Sequence, residues 1–107
     1  MSNPACVRLI LAILLSVGCG SAGRAAGIAE RGAALAQGWC SQCHAIAPGH
    51  PSPDAKAPTF PAIAAELTAT DYALHVFLRT PHATMPNFRI TAVDIDDLVA
   101  YITSMKR

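Results

Sequence analysis

The sequence predicts an all-α domain of three to four short helices. Three observations carry this. Ile95, Leu98, Val99 and Ile102 form one helical stripe near the C-terminus. Prolines and threonines cut the preceding chain into short pieces, each with its own start or stop signal. No stretch alternates apolar and polar residues as a half-buried strand would.

The chain has 107 residues, enough for one small domain. Residues 1–25 read as a secretory signal peptide and 26–107 as the domain itself. Arg8 supplies the positive start, and Leu9 to Val17 is a nine-residue apolar run, too short to span a bilayer. Small residues follow from Gly18 to Gly27. Cleavage after Ala25 puts Gly23 and Ala25 at the small-residue positions, and Ala22 or Ala26 are alternatives. The chain is therefore expected to be exported. A competing pattern, Leu15-Ser16-Val17-Gly18-Cys19, loosely resembles a lipoprotein signal that would tether the protein through Cys19. Ser16 departs from that pattern.

Beyond residue 25 only Cys40 and Cys43 remain, so no disulfide is expected once both are otherwise used. Six basic residues face seven acidic ones there, a net charge of −1. With no basic stripe, nucleic-acid binding is not expected, and nothing points to strong electrostatic steering of a partner.

The first helix is expected from Ile28 to about Gly38, with Ile28, Leu35 and Trp39 at helical spacing. Gly32 inside it costs about 1 kcal/mol relative to Ala, and such a glycine usually lets another backbone or ring approach. Pro48, Pro51, Pro53, Pro58 and Pro61 keep 45–61 a loop. A short helix from Pro61 to Leu67 is expected, then one from Asp71 to Arg79 capped by Thr68 or Thr70. Leu74, Phe77 and Leu78 give the latter an apolar face, and Thr80-Pro81 ends it. A loop from Pro81 to Ile90 holds His82, Met85 and Pro86. Thr91 and Asp94 make a capping-box-like start for the last helix, flanked by Tyr101. Asp94, Asp96 and Asp97 lie near its positive end, and Lys106 and Arg107 near its negative end.

Cys40-Ser41-Gln42-Cys43-His44 carries the chemistry. Two cysteines three residues apart share one face of a helical turn. Their sulfurs can reach both vinyl groups of one haem edge, and His44 can then bind the iron. One haem c attached through Cys40 and Cys43 is the expected cofactor. Its apolar bulk would staple a domain of this size, and the apoprotein is expected to fold poorly. A thioredoxin-like site would need a surrounding βαβ pattern, which is absent. A zinc site would need a second Cys or His pair, and His50, His75 and His82 are not spaced as one.

The second axial ligand decides the chemistry, because an open position binds small molecules and a thioether leaves an electron carrier. Met85 is the candidate, in a loop beside Pro86 and forty-one residues after His44. His82 is the runner-up, and Met105 sits near the end of the last helix. The free N–H of His44 needs an acceptor, and the proline-stiffened loop at Pro58 offers a carbonyl. Phe60, Leu74, Phe77 and Phe88 are expected as pocket walls.

These residues resemble the small class I cytochromes c, single-haem bacterial periplasmic electron carriers. The match runs from Gly32-x-x-Leu35 through Cys40–His44, Ala57-Pro58 and Met85-Pro86 to Leu98-x-x-Tyr101-Ile102. The resemblance implies a cytochrome c fold, helices wrapped around the covalently bound haem. It implies a first and last helix that cross at Gly32 and Tyr101, with Met85 as axial ligand and a backbone acceptor for His44 near Pro58. The family often has an aromatic four residues after that glycine. Here Ala36 stands in its place, and Trp39 is expected to supply some of the bulk. The implied function is one-electron transfer to redox proteins: a membrane cytochrome complex, a periplasmic dehydrogenase, or a terminal oxidase or reductase. The alternative is a ligand-binding haem protein, a gas sensor or weak peroxidase. No acid/base group other than His82 stands near Met85 in sequence to support that reading.

Overall fold

The computed structural model describes residues 22–81 and 84–107, with side chains from Ile28 onward. Most of the expected signal peptide, including Cys6 and Cys19, and the loop residue His82 lie outside the described residues. Among the described residues the order is α1 (Ala22–Trp39), α2 (Phe60–Ala65), α3 (Asp71–Arg79) and α4 (Ala92–Thr103), with no strand. The all-α expectation holds.

Each later helix starts where a threonine satisfies its free N–H groups. Thr59 Oγ1 accepts from Ala62 N at 3.1 Å, Thr70 Oγ1 from Ala73 N at 3.1 Å, and Thr91 Oγ1 from Asp94 N at 3.2 Å. The Thr91 hydroxyl also donates to Asp94 Oδ2 at 2.7 Å, so the shorter acid closes its end of the cap through the side chain. Helix α2 starts one residue earlier than expected and stops at Ala65, where Glu66 turns extended. Leu67, expected inside that helix, lies beyond it and is fully exposed.

All three earlier helices pack on α4. Ile95, Leu98, Val99 and Ile102 are all buried, as the stripe predicted, and they join Ala36, Phe60, Ala64 and Leu74 in one core. Helix α1 starts at Ala22, well before Ile28. It crosses α4 at Gly32. A Cβ there would sit 2.6 Å from the carbonyl carbon of Asp97 and 2.8 Å from Tyr101 Cβ. The expectation for Trp39 is corrected here. Ala36 is 0% exposed and fills the place beside Gly32, while Trp39 is 40% exposed. Ala36 thus holds the core position one turn after Gly32.

Candidate functional site

The Cys40–His44 segment continues α1 as further turns. Cys40 N and Ser41 N donate to Ala36 O, and Cys43 N and His44 N donate to Cys40 O at 3.1 and 2.9 Å. This winding places both sulfurs on one side, the geometry that the spacing implied. The proline loop then closes over the same segment. Asp54 N donates to Cys43 O, Phe60 N to Ala45 O at 2.8 Å, and Ala45 N to Ser52 Oγ at 3.0 Å. Gly49 adopts φ +99°, a left-handed turn open to glycine, and lets 46–52 double back.

Cys40, Cys43, His44, Pro58 and Met85 all line one cleft of about 740 Å³. Its apolar walls include Phe60, Leu74, Phe77, Leu98 and Ile102, drawn from α2, α3 and α4. Phe77 faces this cleft and is 51% exposed. Phe88 is a correction. It lies beyond Pro86 and faces a separate small hollow behind Met85, with Leu78, Asn87 and Ile90.

His44 Nδ1–H donates to Pro58 O at 2.6 Å. A carbonyl can only accept, so the proton sits on Nδ1 and Nε2 keeps its lone pair for a metal. Phe60 leans on the imidazole with ring centroids 5.6 Å apart. Burial pushes the Cys40 thiol up, which disfavours a free thiolate there. Among the described residues no three His, Cys, Asp or Glu side chains gather as a metal cluster. A tetrahedral zinc site would need such a cluster around Cys40 and Cys43. The cleft thus fits a mostly apolar group that Cys40 and Cys43 could anchor and whose metal the Nε2 of His44 could bind. Met85 lines the same cleft.

Two supports of this site escaped the sequence reading. Tyr101 Oη–H donates to Ile46 O at 2.9 Å, pinning the chain two residues after His44 to α4. Its ring also packs on Phe60, with centroids 6.3 Å apart. Replacing Tyr101 by Phe keeps the ring and leaves that carbonyl without its donor. The expected cost is about 1 kcal/mol of unfolding free energy with the absorption spectrum unchanged, as checked by denaturant titration. The other is Ser52, whose hydroxyl takes the N–H just after His44. A Ser between two prolines carries no signal of such a role.

A family model described as "Cytochrome C oxidase, cbb3-type, subunit III" matches residues 27–102. The chain is 33% identical over 96 residues to a cytochrome c-552 of Bradyrhizobium diazoefficiens, covering 90% of this chain and 92% of that protein. No solved structure matches. The fold, the motif and these matches agree: this chain belongs to the cytochrome c family, as a small class I c-type cytochrome whose chemistry is haem-based electron transfer.

Proposed function

We propose that the protein is a one-electron carrier with a single haem c, bound through thioethers to Cys40 and Cys43 and ligated by His44 and Met85. The observation that carries this reading is the convergence of all four side chains on one apolar cleft. When bound, the haem supplies an iron that cycles between ferric and ferrous states. The chain's own task is to hold the surroundings still. Pro58 fixes the tautomer and plane of His44. The walls from α2, α3 and α4 exclude water. Pro86 stiffens the backbone next to Met85.

The proposed location is the periplasm, after removal of residues 1–25. Among the described residues no helix is long and apolar enough to cross a membrane. The partners proposed are redox proteins: a membrane cytochrome complex, a periplasmic dehydrogenase, or a terminal oxidase or reductase. Their encounters would be small and short-lived. Membrane tethering would follow only from lipidation of Cys19, and the intact mass of the exported protein reads this directly. The expected mass is the processed chain plus one haem, with no acyl group.

The absorption spectrum of the ferric protein tests the ligation. A weak red band from methionine-to-iron charge transfer is expected, and Met85→Ala is expected to remove it and lower the reduction potential. An unmodified ferrous protein that binds carbon monoxide rapidly would instead be a ligand-binding haem protein with an open or labile sixth position.

A further inference from the structure

Helix α3 walls the cleft through Ala73, Leu74, Phe77 and Leu78, and its end leads into the Met85 loop. One side chain ties this wall to α4. His75 Nε2 lies 2.7 Å from Asp96 Oδ1, and His75 Nδ1 lies 2.7 Å from Asp71 O. Both partners are acceptors, a carboxylate and a carbonyl. A neutral imidazole has one N–H, so either tautomer would set a lone pair against an acceptor. Only the doubly protonated ring satisfies both contacts.

We infer that His75, as an imidazolium, is a positioning residue that clamps the α3 wall of the cleft to α4 and makes that wall sensitive to pH. The charged groups that bear on it are few. On α3 the Asp71 carbonyl and the Asp96 carboxylate across on α4 favour its charged form, and Arg79, one turn on, opposes it. The bond to the Asp71 carbonyl is the largest influence, and the balance raises His75 above its ordinary value. A folded value above the unfolded one sets the sign. The clamp is complete below the ordinary imidazole value and is lost as pH rises through the raised one. Loss of the proton leaves one N–H for two acceptors, so one of the two bonds that hold His75, to the Asp71 carbonyl or to Asp96, gives way to a lone pair facing an acceptor.

The test uses the haem-loaded protein and does not depend on which group ligates the iron opposite His44. Nitrogen NMR of the ring gives the protonation of both nitrogens and their midpoint. Hydrogen exchange, expressed relative to the intrinsic rate at each pH, gives the protection of amides 71–79. Both are followed from about pH 6 to about pH 9, a span that brackets the ordinary imidazole value and a raised one. Both nitrogens are expected to be protonated at the acid end, with a midpoint above the ordinary value. Protection of α3 is expected to fall several-fold through that same midpoint. Asp96→Asn is the discriminating variant, because an amide can turn to accept from the charged ring or donate to the neutral one. Its α3 protection is expected to stay level across the range, with the midpoint lowered. A midpoint at or below the ordinary value overturns the inference. So does wild-type protection that is level with pH, or an Asp96→Asn profile that matches wild type.

Discussion

Replacing both Cys40 and Cys43 by alanine is expected to yield a colourless chain that has lost most of its helix. The reason lies in what the core contains without its cofactor. Among the described residues only Ile95 and Leu98 are large side chains with essentially no exposure. Two other core members are alanines, Ala36 and Ala64, which contribute little area. The remaining apolar surface faces the cleft of about 740 Å³, where Phe77 stays half exposed. Full burial of a side chain of that size is worth about 1.5–3 kcal/mol. A few such residues span the whole stability of a small domain, about 5–15 kcal/mol. Without thioethers the haem is also free to leave, so its contribution becomes dependent on concentration. Far-ultraviolet circular dichroism of the exported double variant checks this. A colourless chain with the parent's helix content and a cooperative thermal melt would show that the protein core suffices alone.

The parts legible in the sequence are those written locally. The stripe Ile95, Leu98, Val99 and Ile102 repeats with the helical period, and Thr91 and Asp94 mark its start, so the beginning and buried face of α4 could be read. The Cys40–His44 motif specifies its own geometry, because the helical turn that presents it spans only five residues. Thr70 was one of two candidate caps, and the structure selects it. Parts that depend on partners far along the chain were not legible. The Tyr101 hydroxyl reaches Ile46 across 55 residues, and His75 reaches Asp96 across 21. Phe88 follows a proline in an irregular segment with no period, so nothing local says which way it faces. Trp39 misled for a related reason. It was expected to supply some of the core bulk, but Ala36 is the buried residue, and which residue faces α4 is a property of the pair of helices.

That close crossing makes Gly32 the residue whose smallest change should matter most. Two effects oppose each other in Gly32→Ala. Alanine is the better helix former by about 1 kcal/mol. Against this, the new methyl carbon would fall on the Asp97 carbonyl and within 2.8 Å of Tyr101 Cβ. The nearest obstacle is backbone, which cannot rotate aside as a long side chain can. The helices must therefore separate, and that loosens Ala36 against α4 and strains the Tyr101 bond to Ile46. Overpacking of this kind costs about 1–3 kcal/mol and sometimes more. Strain should win, so Gly32→Ala is expected to destabilise the haem-loaded protein in guanidinium unfolding, and Gly32→Val more severely. Gly38, in the same helix, has nothing within 4 Å of a Cβ built on it. Gly38→Ala is therefore expected to be neutral or mildly stabilising. Opposite signs at two glycines of one helix would separate contact from propensity. A Gly32→Ala protein as stable as its parent would mean that α1 and α4 do not meet as closely as described.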